Sequence, residues 1–318
     1  MSNDFVYSPL AAPRNVNGRP NSDVIFPWAN GLDIARRPRN MYIIDFGVEM
    51  TKKDAAQYEL PFAHVTRHVR EERLAHRNPV LRDHYWIHER PRPAVRKAIG
   101  PLSRFIVTPT NSRHRFFVWM AAPTLPDHQL IVVAREDWYT FGVLQSRVHR
   151  LWSLAMCSWL GVGNDPRYTP TTTFETFPFP WPLKTPEKAL STLQRKSLDA
   201  IAAAAEELDL LRQEWLNPRD LVKKAKPLAP GFPERLVPKD AKAEGILKKR
   251  TLNNLYTEKP QWLLDAHQTL DGAVLKAYGW PASISDADLS ERLLELNLSR
   301  VEVGRGAEVD GEDSGDAD

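Results

Sequence analysis

The stretch WLGVGNDPRYTPTTTFETFPFPWP, residues 159–182, separates two kinds of sequence. Gly161 and Gly163 let the backbone take positive φ or approach a partner closely. Asn164, Asp165, Arg167 and Tyr168 then place an amide, a carboxylate, a guanidinium and a phenol within five positions. Three threonines follow, and then the alternation Phe177-Pro178-Phe179-Pro180-Trp181-Pro182. Each proline fixes its own φ and pushes its predecessor into extended backbone, so 177–182 is not helical. The stretch reads as a donor-rich loop between an apolar helix and a rigid extended strut, suited to presenting side chains to a polar, patterned partner.

Upstream of it, the pattern mixes strands and helices. Residues 1–22 are rich in Pro, Asn, Ser and Gly and read as a loose lead-in. Met41–Phe46 reads as a buried strand ending at Gly47. Thr51 with Asp54 resembles a capping box opening a helix through Ala55, Tyr58, Phe62 and Val65, which Pro61 is expected to end or kink. Residues 104–108 and 115–120 read as strands joined by a tip at 109–114, and 129–134 as a third. Asp137 is expected to cap one long apolar helix reaching Trp159.

Downstream, helical periodicity dominates. Residues 187–216 read as one long helix stopped by Asn217-Pro218. Residues 219–249, rich in Lys and Pro, read as a linker or partly ordered arm. A helix over 261–278 ends at Gly279, and Ser285 with Asp288 opens a last helix to about Leu298. The expectation is therefore α+β: a mixed α/β domain over 1–182, a helical region over 183–301, and a disordered acidic tail over 302–318.

Charge is unevenly spread along the 318 residues. Residues 1–150 hold 22 Lys+Arg against 14 Asp+Glu, and residues 301–318 hold seven acids and one arginine. Between His64 and Arg115 lie twelve Arg/Lys, six His and four acids, interleaved with Tyr85, Trp86, Phe105, Phe116 and Phe117. Such a body suggests a polyanionic partner, with most of the aromatics serving the core. The single cysteine, Cys157, excludes a disulfide framework within the chain and fits a reducing cytoplasm. No apolar run has membrane-spanning length, and MSNDFVYSPL lacks a signal pattern.

GVGNDPRYTPTTTFETFPFP resembles the end of the target recognition region in class I S-adenosylmethionine-dependent DNA methyltransferases of the large, MmeI-like restriction-modification type. GRPNSDV (18–24), GLDI (31–34), RPR (37–39), RFIVTP (104–109), RHRFFVW (113–119), SRVHRLW (146–152), RTLNNLY (250–256) and LDGAVLKAYGWP (270–281) resemble the same family in the same order. The resemblance spans about 18–301 and only the C-terminal part of such an enzyme.

It implies DNA sequence recognition for an adenine-N6 methyltransferase, with double-stranded DNA as partner. The catalytic domain would then lie upstream or on a separate chain. S-adenosylmethionine is implied for the complete enzyme and no cofactor for this chain. In the family, variable residues just before an Arg-Tyr-Ser/Thr step read a base pair, which corresponds to Gly163 and Asp165 ahead of Arg167-Tyr168-Thr169. Asp165 either accepts from cytosine N4 or caps a turn before Pro166. The candidate DNA-binding set is Arg113, His114, Arg115, Gly163, Asn164, Asp165, Arg167 and Tyr168, with Arg36, Arg37 and Arg39 as weaker candidates.

Catalytic motifs are missing from the residues. No glycine-rich turn follows a strand, and Asn78-Pro79 and Asn217-Pro218 lack the second proline and aromatic of a methyltransferase loop. His84 and His88 have helical ligand spacing without the glutamate or third ligand of a zinc protease. A stand-alone non-catalytic DNA-binding protein or specificity subunit is the alternative.

Overall fold

A computed structural model describes residues 3–160 and 165–312, excepting the side chains of 3–5, 7 and 302–312. Packing divides the chain into two units that differ from the linear split at 182. One comprises 1–109, 118–136 and 216–252, the other 110–117, 137–215 and 253–318.

In the first unit, Ile25–Ala29 pairs antiparallel with Met41–Ile44 and parallel with Leu125–Pro126. A second sheet is antiparallel, with Arg104–Pro109 between Val118–Ala121 and Leu130–Val133. The expected strand at 41–46 and the three at 104–134 are thus present, although the second starts at Val118 and leaves 115–117 in a loop. Val24, Ile25, Tyr42, Phe46, Tyr58, Tyr85 and Trp86 share one buried cluster. Asp45 in it, 2% exposed, is neutralised by Arg96 at 2.6 Å.

Thr51 caps the helix Lys52–Ala56 by accepting the Asp54 N–H at 3.2 Å. The chain breaks at Gln57–Tyr58 and restarts as Glu59–His68, so Pro61 sits in a first turn, where its missing N–H costs nothing. Residues 219–249 are ordered, correcting the linker expectation. Val222–Ala225 and Arg235–Pro238 form an antiparallel ribbon, and Asp240 caps the helix Ala241–Leu247. The few apolar residues of this Lys/Pro-rich run serve as anchors: Val222, Ala229, Phe232, Ala243 and Leu247 are buried, and Phe232 stacks on Tyr42.

The second unit is largely helical. The single helix expected over 137–159 is two, Trp138–Gln145 and Arg147–Met156. Asp137 caps the first as expected, with its Oδ1 2.8 Å from Thr140 N. Ser146 breaks the run: its hydroxyl donates to Val143 O at 2.7 Å and accepts from His149 N, closing one helix and opening the next. Trp159, expected on the helix, lies instead in a strand and is 50% exposed.

The long helix also begins later than read. Glu187–Ala189 is a 3₁₀ turn, and Thr192–Leu216 follows a capping box in which Ser191 and Gln194 exchange backbone-to-side-chain bonds. Leu193 is 67% exposed, while Arg212 is fully buried. Arg212 donates to Asp209 at 2.7 Å and to Phe117 O at 3.1 Å.

Helix Gln261–Tyr278 ends as expected on Gly279, at φ 73. The last helix opens on Ser285 and runs as backbone to Glu312, beyond the expected end at Leu298, while 313–318 of the acidic tail lie outside the described residues. Its Arg300 donates to Phe179 O at 2.6 Å and Tyr278 to Pro178 O at 2.8 Å. Those bonds to the carbonyls of 177–182 tie this segment to the C-terminal helices. Among the described residues no helix is long and apolar enough to cross a membrane.

At Gly142 the helix Trp138–Gln145 comes close to Thr192–Leu216. A Cβ there would lie 2.7 Å from Ile201 Cγ2 and 2.9 Å from Ala205 Cβ. Gly142→Ala should therefore destabilise the protein by about 1–3 kcal/mol despite alanine's better helix propensity. Chemical denaturation measures it, and an unchanged or raised stability would show that the two helices separate without cost.

Candidate nucleic-acid interface

Two short strands carry the centre of the candidate site. Ser158–Leu160 pairs antiparallel with Asp165–Arg167, in the register Ser158↔Arg167 and Leu160↔Asp165. Gly163 and Asn164 lie in the connection between them, outside the described residues. Side chains alternate along a strand, so Asp165 and Arg167 project to the same side and Pro166 to the other. Both charged residues are exposed and Pro166 is buried. The Asp165 carboxylate has no hydrogen bond among the described residues, which leave out 161–164 just before it.

The loop 110–117 lies along this hairpin. Tyr168 N donates to Thr110 O at 2.8 Å, and Asn111 bridges Arg167. Arg115 joins the two segments: its Nη2 donates to Pro166 O at 3.2 Å and to Thr110 O at 3.4 Å, and its Cζ lies 4.9 Å from the centre of the Tyr168 ring. Burial lowers its pKa to about 10, which leaves it a cation at neutral pH.

Tyr168 is 1% exposed, and its hydroxyl shares a 2.9 Å hydrogen bond with His149 Nε2. His149 is fully buried, and burial, with Arg115 adding to it, drives its pKa down to about 3. It is a neutral imidazole edge-on to Phe177, with ring centres 4.5 Å apart. Its Nδ1 has no hydrogen-bond partner among the described residues.

These contacts sort the sequence candidates. Asp165, Arg167 and Arg113 are exposed and free to meet a ligand. Arg115 and Tyr168 instead hold the hairpin against its neighbouring loop, because their polar groups already have protein partners. His114 is intermediate: half-buried, with Nε2 3.0 Å from Thr257 Oγ1, its pKa lowered by burial and then by Arg113 and Lys259. Of the weaker candidates, Arg37 donates to Leu216 O and Asn217, and Arg39 makes a two-pronged pair with Asp33. Arg36 is exposed.

Beside Pro166 opens a cavity of about 500 Å³, lined by Arg113, Arg115, Arg147, Arg150 and Lys259 over an apolar floor that includes Leu154, Leu264 and Leu275. Arg147 is tethered: its backbone N–H donates to Asp271 at 2.7 Å, and its guanidinium to Ile284 O at 2.9 Å and to Asp286. Asp271 is the one carboxylate among the lining residues, and burial pushes its pKa up to about 6. His267, bonded to Tyr256 at 3.0 Å, is held down to about 4 by burial, then by Arg212 and Arg150. Sequence reasoning missed Arg147, Arg150 and Lys259. The two arginines sit in a motif noted for its resemblance, without a signal that assigned them to a site. Lys259 is brought in from 109 residues further on, in a left-handed turn at φ 46.

Residues 48–181 match the family model described as MmeI, target recognition domain. This segment is therefore similar to a target recognition domain of the MmeI type. It carries the hairpin, the loop that braces it and most cations of the cavity, while Lys259 lies beyond the match. The chain is also similar to a solved structure of the Type IIL restriction-modification enzyme MmeI in complex with DNA, with a TM-score of 0.58 and 17% identity. That likeness is one of fold; it covers 89% of this chain and 32% of the MmeI chain, so the chain spans about a third of that enzyme's length. Comparison with curated proteins returns no match.

The depressed histidines His149 and His267 set a pH dependence. An unfolded histidine titrates near 6.5, so as pH falls below that value the unfolded chain takes up protons that folded His149 and His267 refuse. Stability is full above about pH 6.5 and is lost on the way down toward pH 4, by about 2 kcal/mol at pH 5 for His149 alone. Asp271 acts in the opposite sense, since its folded pKa is raised and protonation below about pH 6 relieves it. The melting temperature should therefore drop between pH 7 and 5, and Asp271→Asn should steepen the drop. A flat profile would mean the histidines protonate in place.

Proposed function

We propose that this chain provides DNA sequence recognition for a site-specific adenine-N6 DNA methyltransferase of the restriction-modification type. The observation that carries it is the match of 48–181 to a target recognition domain, combined with an exposed hairpin edge whose Asp165 and Arg167 lie beside a cationic cavity. Asp165 accepts from cytosine N4, or from another exocyclic amine presented in the major groove, and Arg167 donates alongside it. Gly163 and Asn164 belong to the same reading loop. Arg113 and His114 contact backbone at its side, while Arg115 and Tyr168 support it from beneath.

S-adenosylmethionine belongs to the catalytic domain of the complete enzyme, upstream of this segment or on a separate chain. Duplex DNA is the partner, and a cytoplasmic location fits it.

Asp165→Ala tests the reading, in this chain joined to or mixed with its catalytic domain, with methylation mapped on random-sequence DNA. A well-made base contact discriminates by about 1–3 kcal/mol, so the preference at one base pair should relax by roughly 5- to 150-fold. Non-specific affinity should stay equal or rise slightly, because a negative charge near phosphates is removed. An unchanged motif together with a lower melting temperature would make Asp165 a structural residue and end its base-reading assignment.

A further inference from the structure

The cavity beside the hairpin holds more positive charge than the protein uses. Five cations line it against one carboxylate, and that carboxylate is itself pushed toward neutrality. Two of the five have protein partners: Arg115 donates to Thr110 and Pro166, and Arg147 to Ile284 and Asp286. The other three, Arg113, Arg150 and Lys259, are exposed, and among the described residues none has an ion pair or a side-chain hydrogen bond. They come from three separate places: the loop 110–117, the helix Arg147–Met156 and the turn before helix Gln261–Tyr278.

Gathering three unpaired cations around one concavity is unfavourable without an anion, since like charges repel and concave walls focus the field. Burial is the main cause of the lowered pKa of His114 and His267, and the cations add to it, Arg113 and Lys259 at His114, Arg212 and then Arg150 at His267. The floor between the cations is apolar, with Leu154 and Leu264 contributing, which suits a sugar face better than a free ion. Pro166 lines the cavity and is the residue between Asp165 and Arg167. A strand held here therefore passes next to the hairpin, on the side that Pro166 faces and not the one that carries Asp165 and Arg167.

We infer that this cavity seats the sugar-phosphate backbone of the DNA strand flanking the base pair that the hairpin reads, with Arg113, Arg150 and Lys259 as its phosphate ligands. The inference rests on the DNA-recognition reading and adds to it two residues, Arg150 and Lys259, that lie outside the reading loop. Because they touch phosphate and not base edges, they set affinity and its salt dependence without setting the sequence.

The test uses the full chain and a random-sequence duplex, with affinity measured from about 50 to 300 mM salt. Each phosphate contact contributes about 0.9 to the slope of log K against log salt. Arg150→Gln and Lys259→Gln should each flatten the slope by about that amount and the pair by about twice it. Lys196→Gln, on the exposed side of the long helix, should leave it unchanged. Arg150→Lys should keep the slope, which separates a charge contact from damage to the fold, and melting temperatures of all variants should match the parent. Methylation mapped with the catalytic domain present should show the same motif for both glutamine variants.

If the parent binds duplex DNA with a steep slope and both variants retain it, the cavity is not the backbone seat while the recognition reading stands. If either variant changes the methylated motif, the residue reads a base and the assignment is equally wrong. A parent chain that binds no duplex at any salt would remove the recognition reading together with this inference.

Discussion

Arg115 is the contact on which the recognition edge depends. Its guanidinium bonds the carbonyls of Pro166 and Thr110 and lies against the Tyr168 ring. A two-stranded ribbon of three-residue strands is marginal in water by itself. Here the second strand is fixed from below by a half-buried cation and by the Tyr168 N–H bond to Thr110. The tyrosine is fixed in turn by His149, and His149 by Phe117 and Phe177. Removing the cation would leave carbonyls and an aromatic face buried against nothing that binds them, the costlier half of any broken polar contact. The rigid layer also lets Asp165 and Arg167 remain solvent-facing at a fixed spacing, as a reading surface requires.

The same residues show what the sequence made legible. Caps and stops were readable at Thr51, Asp137, Gly279 and Ser285 because each is settled within four residues by a local hydrogen bond or a positive φ. The extended strut 177–182 was readable because proline fixes it. The proposed reading loop rests on its composition and its family resemblance, and residues 161–164 of it lie outside the described residues. Ser146 was missed although it has a local cause: a hydroxyl closing one helix and capping the next looks, in an apolar run, like any helical serine. The Lys/Pro-rich run 219–249 misled because five apolar anchors spread over about thirty residues give no periodicity, yet each finds a buried place.

Roles inside the site were less legible than its location. Arg113, His114 and Arg115 are consecutive and equally basic, but the structure makes them a free cation, a half-buried imidazole and a buried clamp. Nothing local separates them; the difference is set by Pro166 and Tyr168 more than fifty residues away, and by Thr257 farther still. Tyr168 belongs to the quoted motif for the same reason, as the floor of the reading edge. A motif marks which residues are constrained together, and only packing shows which of them face outward.

On the proposed reading, the distribution of charge explains how a carboxylate comes to sit on a DNA-facing edge. Alone, Asp165 would repel the phosphates on either side of the base pair it meets. Beside it, a cavity with three unpaired cations supplies attraction of the opposite sign, and the two interactions differ in range and in kind. Attraction between exposed cations and phosphates is screened over roughly 10 Å at ordinary salt and is indifferent to sequence. The hydrogen bond to an exocyclic amine is short, desolvated when formed, and lost outright when the amine is absent. Placing the cations in a concavity and the carboxylate on a braced strand keeps these two contributions separable. On that proposal affinity is supplied from the cavity, and the hairpin uses a group that is unfavourable everywhere except opposite its own base pair.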